Sequence, residues 1–400
     1  MSMIDIIKTA VFTPLPRGWG LPIIFWGKPG VGKSDILETI GRTYSLPTEV
    51  LSPGERGEGA FGVTPVPVKI GKDEYVITYP KPDWVYQFED AEGSETAGAG
   101  GLVFVDEINT VPSLMPPMLG LIQARRLGST YLGRRVRILG AANPPEISAG
   151  GHDLPAPVAN RVGHIDWQNP SADEWGEWLM EHDGLTTFDI KPQSAYDEEK
   201  RVLKLWGKQY AMARGLIRGF IRAHRSMLHV MPEPGDPKVH RAWPSHRTWA
   251  MSTAAIAGAK IHKLSEEDEG TLVSSFIGEG AYLELAAYAN AFDLPDPEEL
   301  LDGKVKWKPD LHRVDRTMAV LSTATAYIRA IHDTDKKTPK FKARVIKMYE
   351  LLILVGEDAP DVVVSAIKPL SAMRLTKITP KAITALAKLR PILDAAGITA

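Results

Sequence analysis

Four apolar residues, Ile23-Ile24-Phe25-Trp26, run into a glycine-rich turn, Gly27-Lys28-Pro29-Gly30-Val31-Gly32-Lys33-Ser34, and then into a segment where Ile36, Leu37 and Ile40 share one helical face. A run this short and apolar predicts a buried strand, and the helical period after it predicts an amphipathic helix. The apolar run 102–105 and the segments Thr48-Glu49-Val50-Leu51 and 136–142 predict three more strands, and 162–167 a short fifth. Residues 66–70 and 75–79 alternate around a polar turn, which predicts a hairpin kept at an edge by its prolines. Pro14, Pro16, Gly18, Gly20 and Pro22 predict a loop leading to the first strand, and the glycines of 52–59 and 90–101 predict irregular connections. A helix is expected over 112–126, with its prolines near the start.

Past Asp183 the pattern becomes helical. Helices are expected over 196–210, 216–231, from Pro244 onward, over 316–331 and over 341–355, with breaks at 232–237, 292–297 and 336–339. The fold class expected is therefore α/β followed by all-α. The division is an α/β domain at 1–183 with a hairpin insertion near 63–80, a helical lid at 184–295 and a helical region at 296–400.

The turn between the first strand and helix matches G-x-x-x-x-G-K-[ST], a loop whose backbone N–H groups close around phosphates at a helix N-terminus. Gly27, Pro29, Gly30, Val31, Gly32, Lys33, Ser34 and Asp35 are the candidate phosphate-binding residues, Lys33 for the β- and γ-phosphates and Ser34 for Mg²⁺. The run Leu102-Val103-Phe104-Val105 ends in Asp106-Glu107, at the strand end where open α/β sheets bind ligands. There Asp106 would complete the metal site and Glu107 would polarise an attacking water. Asn143 closes the run 136–142 before Pro144-Pro145 and is placed to hydrogen-bond a phosphate and the water. Arg161 precedes the fifth strand as a candidate arginine finger. Ser171-x-x-Glu174 predicts a helix cap. Arg247 falls in the first turn of the Ala-rich helix, where the dipole disfavours a cation, and so invites another role.

At 400 residues the chain exceeds one common core, and it contains no Cys, which leaves no disulfide, thiolate metal site or thiol nucleophile. There is no long apolar run and no basic, apolar leader at the start, so a soluble, cytoplasmic protein is expected. The ten His show no metal-binding spacing. Net charge is −2, but from Leu301 onward 18 Lys plus Arg stand against 10 Asp plus Glu. Without aromatic interleaving or a binding motif, that surplus reads as a solvated helical surface.

The order of these segments resembles an AAA+ ATPase. Asp106-Glu107-Ile108-Asn109, Ala141-Ala142-Asn143-Pro144 and Pro157-x-x-Asn160-Arg161 are similar to the MoxR group in particular, over about 23–178. The resemblance implies a five-stranded parallel sheet of order 5-1-4-3-2, ATP and Mg²⁺ as ligands, and ATP hydrolysis. It also implies a homo-oligomer, usually a hexameric ring, and a remodelling or chaperone-like role, often with a von Willebrand A-domain partner. Arg161 would then act on a neighbour's nucleotide and Arg247 would be the second sensor, in cis or in trans. The chain departs from the pattern at Asn160-Arg161-Val162, where Asp-Arg-Phe is usual, which keeps Arg125 and Arg126 open as alternative fingers. Two other functions are open from sequence: a nucleic-acid motor or loader using the basic C-terminal region, and a small-molecule P-loop kinase.

Overall fold

Parallel strands with both faces covered form the centre of the computed structural model, which describes residues 3–62, 64–72, 74–88, 100–146, 151–181, 193–291, 294–310, 312–336, 338–356, 358–371, 373 and 380–395. Helix α1 (Met3–Val11) and a two-stranded ribbon, β1 (Pro14–Leu15) with β2 (Gly18–Trp19), lead into β3 (Ile23–Trp26). Helix α2 (Lys33–Thr43) and β4 (Thr48–Leu51) follow, then a single turn α3 (Pro53–Arg56) and the hairpin β5 (Val66–Lys69) and β6 (Tyr75–Thr78). Next come β7 (Gly101–Val105), α4 (Met115–Ala124), the ribbon β8 (Arg126–Leu127) and β9 (Thr130–Tyr131), and β10 (Val136–Ala142). Helix α5 (Ala156–Ala159), β11 (Gly163–Asp166) and α6 (Ala172–Glu181) complete the α/β part.

The sheet order is β11-β3-β10-β7-β4, all parallel, which is 5-1-4-3-2 in order of appearance and is the sheet the resemblance implies. Strands β3, β7 and β10 are buried along their whole length, the pattern expected when helices cover both faces. One face packs Ile24, Trp26, Val103, Val105 and Ile138 against Ile108, Leu114, Met118, Leu121 and Val158. Each such side chain, fully buried, contributes roughly 1.5–3 kcal/mol.

The rest is helical: α7 (Ala195–Ala223), α8 (His246–His262), α9 (Glu266–Ile277), α10 (Glu279–Ala291), α11 (Pro297–Leu301), α12 (Val314–Asp335), α13 (Pro339–Gly356), α14 (Pro360–Ser371) and α15 (Pro380–Ala395). By contacts the chain forms two units, Met1–Val202 with Val230–Glu279, and Leu203–His229 with Gly280–Ala400. These units cut across the expected regions 1–183, 184–295 and 296–400, because α8 packs on α1 and α9 on β11, inside the α/β unit. In the second unit Leu321, Phe341, Leu352, Val363, Ile367 and Leu389 make the core. Arg344 is buried there and pairs with Asp302 at 2.7 Å and Glu298 at 2.6 Å, which holds both carboxyls below their ordinary range.

Several expectations are corrected. The two helices expected at 196–210 and 216–231 are one, α7, which ends at Ala223. Its internal glycines are sites of close approach, since a Cβ at Gly215 would lie 2.0 Å from Thr323 Oγ1. The stretch 52–59 is not wholly irregular: α3 forms there, and a 3-10 turn follows at Glu58–Phe61. Helix α4 stops two residues before the expected Arg126, with Arg125 in the left-handed region (φ 52°) turning the chain into β8. The approach to the first strand, expected as a loop from Pro14 to Pro22, carries the short ribbon of β1 and β2. Residues 90–99 of one expected loop, the boundary at 183, residues 292 and 293 of one break and 337 of another lie outside the described residues.

Candidate nucleotide site

The turn after β3 begins at Gly27, whose N–H donates to the Ala142 carbonyl and whose missing side chain makes room for Trp167, 2.7 Å from an added Cβ. Gly30 and Gly32 take φ of 75° and 82°, a left-handed backbone glycine adopts without strain. Nothing lies within 4 Å of a Cβ built on either, so both border open space. Helix α2 starts at once, with Gly32 as its N-cap, so its first N–H groups and the positive end of its dipole lie at the turn. Pro29 and Asp35 are exposed, and Val31 is half-buried.

Lys33 is buried, and its ammonium donates to the carbonyls of Gly27 at 2.8 Å and Lys28 at 2.9 Å. Burial lowers its pKa, and the charges of Asp106 and Glu107 pull it back up. Those two acids follow β7 directly. Ser34 Oγ donates to Asp106 Oδ2 at 2.9 Å, and the other carboxylate oxygen accepts from the Glu107 N–H at 2.8 Å. A hydroxyl and a carboxylate in this contact are a hard-oxygen donor pair that suits Mg²⁺.

Glu107 itself sits at φ 51°, uncommon for any residue but glycine. Such a backbone is held only where its surroundings insist on it. Asn143, at the tip of the neighbouring β10, donates from Nδ2 to Glu107 Oε1 at 3.4 Å. The structure thus brings together Lys33, Ser34, Asp106, Glu107 and Asn143 at the C-terminal edge of β3, β7 and β10.

One residue completes this arrangement that the sequence reading carried only as part of a motif. Asn109 is fully buried and donates to the carbonyls of Asn143, at 2.8 Å, and His152, at 3.0 Å. Its Oδ1 also accepts the Asn143 N–H at 3.2 Å. The amide therefore ties the acidic turn after β7 to the tip of β10 and sets the spacing of Glu107 and Asn143. A polar amide two positions after the acid pair, directly following the apolar Ile108, was the available signal.

Arg161 and Arg247 are not part of this group. Gly163 pairs with Ile23 and Asp166 with Trp26, so Arg161 lies at the N-terminal end of β11. The phosphate loop leaves the C-terminal end of β3, roughly 13 Å away at about 3.3 Å per residue. Arg161 Nη1 donates to the Pro157 carbonyl at 2.8 Å, and its Nε is buried without a hydrogen-bond partner among the described residues. Arg247, exposed in the first turn of α8, lies near it: partial burial and the Arg161 charge both push the Arg247 pKa down. Asn160 Nδ2 donates to the Trp243 carbonyl at 3.1 Å, and Ser245 Oγ donates to Asn160 Oδ1 at 2.8 Å, which fastens the approach to α8 beside Arg161.

Of the alternative fingers, Arg125 is buried, donates to the Trp19 carbonyl and has its pKa lowered to about 10 by burial and by Arg137. It is enclosed in its own chain. Arg126 is exposed on β8 and donates to the Gly128 carbonyl at 2.7 Å. Among the described residues no group of three or more His, Asp or Glu could hold a further metal, and no helix is long and apolar enough to cross a membrane.

No family model matches the chain, and no curated protein matches it. Among solved structures, the crystal structure of a candidate ATPase from Cytophaga hutchinsonii ATCC 33406 is similar, with a TM-score of 0.45 and 13% identity over 72% of this chain and 88% of that one. A likeness of this degree carries neither family nor function; the sheet order and the grouping of side chains are properties of this chain itself.

Proposed function

We propose that this chain is an ATPase of the AAA+ kind, hydrolysing ATP to ADP and phosphate in a site completed by a second copy of itself. The observation that carries the reading is the convergence of Lys33, Ser34, Asp106, Glu107 and Asn143, from three strand ends, on one loop shaped for phosphate. Lys33 offsets the charge of the β- and γ-phosphates, and the N–H groups of the loop do the same from the other side. Mg²⁺, held by Ser34 and Asp106, would neutralise further phosphate charge. Glu107 accepts a hydrogen bond from water and orients its lone pair toward the γ-phosphorus. As the new P–O bond forms, the bond to ADP breaks, and the proton of the water passes to the carboxylate side. Asn143 keeps Glu107 in place and presents its amide to the γ-phosphate.

Arg161 and Arg247 occupy the opposite end of the strands from their own phosphate loop, so they are assigned to a neighbour's nucleotide, both in trans. A shared site requires a homo-oligomer, and the resemblance supports a closed hexameric ring. It equally supports use of the turnover to remodel a partner protein, one with a von Willebrand A domain being the expected kind, in the cytoplasm.

The test is Glu107→Gln. This variant keeps the shape and loses the base, so ATP binding measured by calorimetry stays within about threefold of the parent while turnover falls on the order of 100-fold or more. Unchanged turnover would remove Glu107, and with it the hydrolytic reading.

A further inference from the structure

Arg161 and Arg247 belong to segments that are 86 positions apart, yet one side chain links the residues beside them. Asn160, immediately before Arg161, is 6% exposed, and Ser245, two before Arg247, is 5% exposed. The Asn160 amide spends both its ends on the approach to α8: Nδ2 on the Trp243 carbonyl at 3.1 Å, and Oδ1 on the Ser245 hydroxyl at 2.8 Å. Ser245 cannot turn away, because the same hydroxyl accepts the Thr248 N–H at 3.2 Å, and the Ser245 N–H donates to Thr248 Oγ1 at 2.7 Å. Thr248 Oγ1 in turn donates to the Trp243 carbonyl at 3.0 Å, closing a buried network of Asn160, Trp243, Ser245 and Thr248. Asn160 is thus more than a turn residue, since no part of its amide serves its own loop.

The cost of this arrangement is visible. Arg161 and Arg247, two guanidinium groups of like charge, each stand within two positions of this network, near enough for the Arg161 charge to act on Arg247. Repulsion of that kind is relieved by an anion placed between the groups. A guanidinium presents several N–H donors in a plane, and its fork suits phosphate oxygens in particular.

We propose that Asn160 is the positioning residue that makes Arg161 and Arg247 a preset pair, so that both reach one terminal phosphate of a nucleotide held by a second copy of the chain. This rests on the reading that the two arginines act in trans. A rigid pair stabilises the departing phosphoryl group without having to order two long side chains at each turnover, and a misplacement of about 1 Å is worth roughly 100-fold in rate. The effect falls on kcat. The nucleotide site of the same chain lies at the other end of the strands, so KM for ATP is little affected.

The experiment is complementation in mixed assemblies. Asn160→Ala subunits keep an intact phosphate loop and lose the preset pair; Lys33→Ala subunits keep the pair and lose the loop. Asn160→Ala alone is expected to lose roughly 10- to 100-fold in kcat with KM within about twofold. Mixing it with Lys33→Ala subunits should restore turnover above the sum of the two separate preparations. Ser245→Ala should behave as Asn160→Ala does, and Ser245→Thr, which retains the hydroxyl, should keep most of the parental kcat. Full activity of Asn160→Ala and Ser245→Ala, while Arg161→Ala is inactive and complemented by Lys33→Ala, would overturn the staple and leave the trans reading intact. Full activity of Arg161→Ala alone would overturn the trans reading itself. A loss in Asn160→Ala that mixing does not repair, with Ser245→Thr equally inactive, would show general damage and also overturn the proposal.

Discussion

At the scale of single residues, several groups sit in surroundings that work against them. Burial lowers the Lys33 pKa while the charges of Asp106 and Glu107 raise it, and Glu107 is held in a left-handed backbone. His164 is a third case. The Trp26 indole can only donate, and it does so to His164 Nδ1 at 3.1 Å, so the ring proton sits on Nε2, facing the Ala159 carbonyl at 3.0 Å. Burial, reinforced by the Arg241 charge, lowers the His164 pKa to about 4 against the pull of that carbonyl. His262 is buried likewise and lowered to about 4, although Glu198 opposes the shift. Both folded values lie below the ordinary 6.5, so the unfolded chain binds more protons between the two values. Stability is therefore complete above about pH 6.5 and declines as pH falls toward 4, by on the order of 3 kcal/mol for each imidazole. Denaturant unfolding of the parent and of His164→Gln over this range checks the claim. The glutamine variant should decline less steeply, and parallel curves would remove His164 from the account.

The elements show which parts of the fold could be read from the chain. The strands at 102–105 and 136–142 were legible because they are buried along their whole length and so appear as largely apolar runs, whereas β4 at 48–51 is a half-buried edge strand that carries Thr48 and Glu49. The phosphate loop was legible because its glycines and lysine have fixed spacing. Long helices with internal glycine were not. Gly215 looks like a break in local terms, but its purpose is set by Thr323, more than a hundred positions away. Asn109 and Asn160 were illegible for the same reason: each amide serves a carbonyl or hydroxyl supplied by a distant segment. Nor could the chain alone say at which edge of the sheet Arg247 sits. The Gly215 contact carries a prediction. Alanine is the better helix former by about 1 kcal/mol, yet a methyl forced against Thr323 costs roughly 1–3 kcal/mol. Gly215→Ala should therefore lower the midpoint of thermal unfolding; a rise would mean that the two helices separate freely at this point.

For the whole molecule, the proposed function divides a single active site between two ends of the sheet. One end of the parallel sheet carries the loop proposed for a triphosphate, and the other carries Arg161 and Arg247. On the function proposed above, self-association is the direct way to join them. The exposed hairpin formed by β5 and β6, where Val68, Tyr75 and Ile77 all face outward, is consistent with a surface that meets other protein. The decisive measurement is a structure of the assembled protein with Mg²⁺ and a non-hydrolysable ATP analogue. The account predicts the terminal phosphate within hydrogen-bond distance of Lys33 in one chain and of Arg161 and Arg247 in a second. A terminal phosphate out of reach of Lys33, or one met by no arginine from a second copy, would contradict it.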